Sequence, residues 1–180
     1  MDHNASNTAR LFLAAVPDGD TAQRIHRLAG ALKRAHKFDG KIVQPDRLHI
    51  SLFFIGGGSP NSIAPIACEA AAEVRAPPFE VLFDRSASFR GRPGNRPFVL
   101  VGDDGLERLR CFRRMLGVAM AGKGFHYSAK KDFTPHITLL YAERAVEEHP
   151  IEPIYWTVNE FVLIRSMHGH DHLARWPLRV

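Results

Sequence analysis

"LHISLFFIG" at residues 48–56 and "PHITLLY" at residues 135–141 each place a hydroxyl residue two positions after a histidine inside an apolar run. Alternation along a β-strand sends His49 and Ser51 to one face and Ile50 and Leu52 to the other. It separates His136 and Thr138 from Ile137 and Leu139 in the same way. Each stretch thus predicts a strand with one apolar face for a core and one polar face turned away from it.

The flanking sequence repeats as well. "RLFLAAV" (10–16) predicts a short buried strand, closed by Pro17-Asp18-Gly19-Asp20, with Asp18 or Asp20 capping the helix that follows. Ile25, Leu28 and Leu32 share one face of that helix, and the basic "KRAHKFDGKIVQPDR" reads as a loop leading to His49. In the second half "PFVLVG" (97–102) is the strand and Asp103 or Asp104 the cap. Leu106, Leu109, Phe112, Leu116 and Met120 make the helix face, which ends near Gly122 and Gly124. Leu11 and Phe98 each stand 38 positions before their histidine (49 − 11 and 136 − 98), so an offset of 87 (136 − 49) aligns strand, helix and histidine. This is the pattern of a duplicated strand–helix–strand unit.

Between and after the units, "SPNSIAPIACEAAAEV" predicts a helix with Ser59 as N-cap, Pro60 at its first position and a kink or later start at Pro65. "FEVLFDRSASF" and "YWTVNEFVLIRS" each read as a strand, the latter paired as a hairpin with "HLARWPLRV"; Gly91, Pro93 and Gly94 mark a loop. No linker divides the chain, so residues 1–180 are expected to form a single two-lobed domain.

With 180 residues, 45% apolar and 24% charged, the composition is that of a globular protein, and it excludes the disordered and fibrous classes. No apolar run reaches the roughly 18–20 residues that span a bilayer, and "MDHNASNTAR" lacks the apolar segment of a signal peptide. A cytoplasmic protein without a membrane partner is expected, and Cys68 and Cys111, in helix-like segments, are expected to be buried free thiols. The formal charge of +5 favours anionic partners.

Two histidines converging across a groove suit proton transfer, because an imidazole titrating near 6.5 can serve as neutral base or charged acid at neutral pH. The neighbouring hydroxyls can hydrogen-bond to phosphate oxygens between the rings. Acid–base phosphodiester cleavage is the chemistry this predicts, without metal or cofactor. The alike local contexts leave donor and acceptor unassigned.

The doubled tetrads His49-Ile50-Ser51-Leu52 and His136-Ile137-Thr138-Leu139 resemble the signature of the two-histidine phosphoesterases, especially the RNA 2′,3′-cyclic phosphodiesterases long labelled 2′-5′ RNA ligases. "RLFLAAVPD", "QPDRLHISLFFIG", "DFTPHITLLY" and "EFVLIRS…ARWPL" extend the resemblance along nearly the whole chain. It implies an α+β fold of two pseudo-symmetric lobes with antiparallel sheets lining a central groove. The implied reaction opens an RNA-terminal or nucleotide 2′,3′-cyclic phosphate to a 2′-phosphate, with His49 as proton donor, His136 as proton acceptor, and Ser51 and Thr138 holding the phosphate. RNA ends, cyclic nucleotides or tRNA halves would be the partners of a monomer. The chain departs from the family in having Ser51 rather than Thr, and Tyr141 where an Arg often follows the second motif. Alternative readings are an RNA-end-binding module without catalysis, or the same fold acting in 2′-5′ ligation, on 2′-5′ oligonucleotides or on other cyclic phosphates.

Other residues are candidates for RNA contacts: Arg92 and Arg96 in the glycine–proline segment (with Arg90), Lys130 and Lys131 before the second motif, Tyr141, and Phe125, which stacks on a base or lies in the core. "HGHDH" (168–172) mimics a metal-ligand cluster but is one residue short of the His-x-His-x-Asp-His pattern and has no remote ligands in view. It reads as a solvated turn, with one histidine near the groove rim, and no metal is expected.

Overall fold

The computed structural model describes residues 9–57, 60–127 and 133–180. The first unit is β1 (Arg10–Ala15), α1 (Gly19–His36), a 3-10 turn (Pro45–Arg47) and β2 (Ile50–Gly57). Then follow α2 (Pro60–Ala72) and β3 (Phe79–Ser88). The second unit is β4 (Arg96–Val101), a 3-10 turn (Asp104–Leu106), α3 (Glu107–Gly122) and β5 (Ile137–Ala142). The chain closes with β6 (His149–Val158), β7 (Glu160–Ser166) and β8 (His170–Pro177).

These strands form two four-stranded antiparallel sheets, ordered β2-β1-β7-β8 and β5-β4-β3-β6. The orders correspond position by position, so the fold is the expected α+β pair of pseudo-symmetric lobes. One apolar core joins them: Ile25 of α1, Ile50 and Leu52 of β2, Phe98 of β4, Leu116 of α3 and Ile137 of β5 belong to one buried cluster. α1 packs against β5 and β6 of the opposite sheet, and α3 reaches β2, so each unit's helix ties the two sheets together.

The duplication extends to single hydrogen bonds. α1 ends where Lys37 turns left-handed (φ 53°), and α3 is followed by Gly124 at φ 88°, 87 positions on (124 − 37). Phe38 N–H donates to the Lys33 carbonyl as Phe125 N–H does to Met120, and Lys37 and Gly124 N–H reach Arg34 and Ala121. The first strands follow a different offset. Ala14 faces Ser51 while Val99 faces Thr138, so β1 and β4 align at 85 (99 − 14) rather than 87. The second unit takes up the two extra residues between its strand and helix, where the 3-10 turn lies.

Local chemistry settles several readings. Of the two cap candidates Asp18 caps α1, its carboxylate accepting from the Thr21 N–H at 2.8 Å and the Thr21 hydroxyl at 2.9 Å. Neither Asp103 nor Asp104 caps α3: Asp103 pairs with Arg85 at 2.7 Å instead. α1 runs on to His36, so "KRAH" is helical and the loop begins at Lys37. α2 continues through Pro65, close enough to the helix start for the missing N–H to cost one early bond; Ser59 lies outside the described residues. "YWTVNEFVLIRS" is two strands, because the chain crosses at Asn159 from β6 in one sheet to β7 in the other. Cys68 and Cys111 are free, but neither is buried: Cys68 is part-exposed on α2 and Cys111 exposed on α3.

Among the described residues no helix is long and apolar enough to cross a membrane. Truncation of Ile137, fully buried, to alanine is expected to cost about 2–5 kcal/mol, and Asp18→Ala about 1 kcal/mol. Urea denaturation of the two variants measures both.

Candidate active site

Each motif histidine immediately precedes a strand, and each is fixed by the same device. His49 Nδ1 lies 2.8 Å from the Arg47 carbonyl oxygen, and His136 Nδ1 2.8 Å from that of Thr134. A carbonyl only accepts, so each Nδ1 carries the hydrogen and each neutral ring leaves Nε2 bare. Beneath each ring lies an aromatic side chain: Phe12 at 5.0 Å for His49 and Phe89 at 4.8 Å for His136. These phenylalanines belong to small apolar clusters on the side of each sheet away from the shared core, Phe12 with Ala14, Val162 and Ile164, and Phe89 with Ala87, Val99 and Val101.

A β-bulge follows each motif. Ser51 pairs with Ala14 and Phe53 with Leu13, which leaves Leu52 as the additional residue; Leu139 takes that position between Thr138 and Leu140. Two consecutive residues are therefore buried after each hydroxyl, and the next, Phe54 or Tyr141, turns out to solvent. His49, Ser51, His136, Thr138, Phe54 and Tyr141 all line one groove of about 1000 Å³.

The loop between α1 and β2 supplies the charge at this groove. It adds to the edge of β5 through a Val43 N–H bond to the Leu139 carbonyl at 2.8 Å and a bridge between Ile42 and Leu140. A side chain at Gly40 would collide with the Tyr141 carbonyl, so glycine permits this close docking. Lys41 and Arg47 from this segment, Lys33 of α1 and Arg10 of β1 line the groove, and no Asp or Glu lines it among the described residues. Lys33 Nζ is held by the Gly40 carbonyl at 2.8 Å. This groove suits an anion.

The sequence-derived candidates divide clearly. The structure brings together His49, Ser51, His136, Thr138 and Tyr141. Arg92 and Arg96 lie at the β3–β4 turn and the start of β4 and are not among the residues lining the groove. Phe125 is a core residue, partly buried against the main cluster. Lys130 and Lys131 lie outside the described residues. The groove cations Arg10, Lys33, Lys41 and Arg47 were not singled out, although the basic run before His49 carried three of them.

"HGHDH" is only partly a turn. Residues 170–172 belong to β8, which directs neighbouring side chains to opposite faces. Asp171 pairs with Arg165 at 3.0 Å, and Arg175 donates to His172 Nδ1 at 2.9 Å. His170 lines the groove, its ring centroid 5.0 Å from that of His49. Among the described residues no group of three or more His, Cys, Asp or Glu is placed to hold a metal ion.

Burial pushes the His49 pKa below the ordinary 6.5, and the nearby positive charges of His136, Arg47 and His172 push the same way, against the hydrogen bond to Arg47. The empty groove therefore favours the neutral His49 ring.

The fold and the groove define a two-lobed protein with one histidine–hydroxyl pair contributed by each lobe. Residues 17–170 match the model of the 2′-5′ RNA ligase superfamily. The chain belongs to that superfamily, the two-histidine phosphoesterases. It is 28% identical to an RNA 2′,3′-cyclic phosphodiesterase of Geobacillus stearothermophilus over 93% of this chain and 56% of the relative, so it spans little more than half that relative's length. It is 30% identical to an RNA 2′,3′-cyclic phosphodiesterase of Archaeoglobus fulgidus over 72% of this chain and 70% of the relative. The structure of E. coli LigT complexed with 3′-AMP superimposes with a TM-score of 0.68 at 28% identity, covering 95% of this chain and 98% of the other.

In an NMR titration of the free protein His49 is expected to titrate below 6.5, with its midpoint rising on addition of inorganic phosphate. Stability is expected to fall on acidification. The folded-state pKa values of His49, His170 and His172 lie below the unfolded 6.5, so the unfolded chain binds the extra protons first. The loss begins as pH drops through 6.5 and extends toward the His170 value of about 4. Urea midpoints across that range measure it.

Proposed function

We propose that the protein hydrolyses RNA-terminal or nucleotide 2′,3′-cyclic phosphates to 2′-phosphates by paired-histidine acid–base catalysis. The observation that carries this reading is the pair of Nδ1-anchored imidazoles, each with a hydroxyl two residues on, lining one groove to which the described residues contribute cations but no carboxylate. The cyclic phosphate is held by the Ser51 and Thr138 hydroxyls and the surrounding positive field. The neutral Nε2 of His136 takes a proton from water as its oxygen forms a bond to phosphorus. The bond from phosphorus to the 3′-oxygen breaks, and that oxygen takes the proton carried by His49 Nε2. The products are a 2′-phosphate and a free 3′-hydroxyl, and solvent exchange resets the two rings.

Burial gives this assignment a physical condition. His49 donates only after acquiring a proton that the empty groove disfavours, so substrate anion binding and arming of the acid are coupled. The imidazoles serve both proton transfers, and the mechanism needs no metal. The four groove cations and the exposed Phe54 and Tyr141 rings fit an anionic, base-bearing ligand such as an RNA end. The unit that acts is residues 1–180 as one two-lobed domain, monomeric and cytoplasmic. The reverse step, 2′-5′ ligation, would use the same groups.

Hydrolysis of 2′,3′-cyclic AMP and of RNA ending in a cyclic phosphate is expected to persist in excess EDTA with a bell-shaped pH profile. His49→Ala and His136→Ala are each expected to lower kcat by about 10²-fold or more. Full activity in either variant overturns the mechanism, and loss in EDTA that zinc restores overturns its independence of metal. Lys41→Ala and Arg47→Ala are expected to raise KM for the RNA substrate and to reduce its salt dependence.

A further inference from the structure

His170 lies on β8, outside the duplicated strand–helix–strand unit. β8 brings this ring to the His49 end of the groove, 5.0 Å from His49 at an interplanar angle of 69° and 5.7 Å from Phe12 at 75°. With Phe12 also 5.0 Å from His49, the three rings form a closed triangle. At the other end Phe89 is the ring contact of His136 among the described residues. The two ends of a pseudo-symmetric groove thus differ in kind, one carrying an additional polar ring.

The two nitrogens of His170 face different surroundings. Nδ1 is buried and has no hydrogen-bond partner. Nε2 is not among the buried unpartnered atoms and has no protein partner among the described residues, so it opens on the groove that His170 lines. An imidazolium has two N–H donors, and one of them would be stranded here. Desolvation, followed by the positive charge of His49, Arg47 and His172, pushes the His170 pKa down to about 4. In the neutral ring the hydrogen belongs on the accessible nitrogen, because a stranded donor is the less tolerated error.

We infer that His170 is a third substrate-contacting histidine, whose neutral Nε2–H donates a hydrogen bond to the departing ribose oxygen beside the proton that His49 delivers. The inference rests on the hydrolysis proposed above and names a group that the paired motif lacks. A neutral donor suits this position. A cation 5.0 Å from His49 would further loosen the proton that His49 must hold, whereas an N–H dipole stabilises charge developing on the oxygen at a smaller cost to the neighbouring acid.

The test compares kcat and KM on 2′,3′-cyclic AMP for the parent, His170→Phe and His170→Gln. His170→Phe keeps a ring against Phe12 and His49 but removes the donor, and is expected to lower kcat about 10- to 100-fold with KM changed by less than about threefold. His170→Gln restores an N–H and is expected to recover most of kcat. Full kcat in His170→Phe, or a loss in His170→Gln as deep as in His170→Phe, overturns the inference while leaving parental hydrolysis intact. An inactive parent instead refutes the proposed function. Long-range ¹H–¹⁵N spectra of the parent with adenosine 2′-monophosphate then decide the role of His170 independently of turnover and of variant folding. An Nε2-protonated neutral ring at pH 7 that shifts on saturation supports the contact; the Nδ1 tautomer, or no shift, overturns it.

Discussion

A single hydrogen bond made twice governs this site: the imidazole Nδ1–H of each motif histidine donates to the carbonyl two residues upstream, at 2.8 Å in both copies. A histidine free to rotate would present either nitrogen. These bonds fix the tautomer, so the nitrogen left without a hydrogen in the neutral ring is Nε2 in both lobes. The strands secure the carbonyls in turn, because Leu48 and Pro135 are buried beside the histidines and Ile50 and Ile137 are fully buried after them. Core packing on one strand face thereby sets the orientation of the imidazoles on the other.

Duplication makes two such histidines, and divergence makes them unequal. The apolar seats under His49 and His136 correspond, and the bulges at Leu52 and Leu139 correspond residue for residue. The differences lie in what surrounds the seats. The α1–β2 loop places Lys41 and Arg47 over the groove, and β8 places His170 beside His49. A symmetric pair of identical imidazoles has no preferred direction for a proton. The burial and the second ring at the His49 end make the two unequal, and burial there disfavours the protonated His49.

Much of this was legible from residue order. Period-two alternation around His49 and His136 marked both strands and both groove-facing hydroxyls, and the 87-residue offset predicted the paired lobes. The limits are equally physical. "YWTVNEFVLIRS" alternates without interruption, so nothing local reveals that Asn159 carries the chain from one sheet to the other. The Asp103 carboxylate can cap a helix or meet a distant Arg85, and only the folded chain shows which. His170 looked like part of a turn because Gly169 precedes it, yet hairpin pairing with β7 draws it into a strand. Arg92 and Arg96 are not among the residues lining the groove, whereas Arg10 and Lys33 reach it from a strand and a helix whose patterns advertise only burial.

The central claim is that His49 and His136 act as one catalytic unit on one phosphate. A double-mutant cycle in kcat/KM for 2′,3′-cyclic AMP tests it most directly, comparing His49→Ala, His136→Ala and the double variant. Groups that serve one transition state are grossly non-additive, so the double variant should fall no more than about tenfold below the worse single variant. Losses that multiply through the cycle would mean independent roles and would contradict the account.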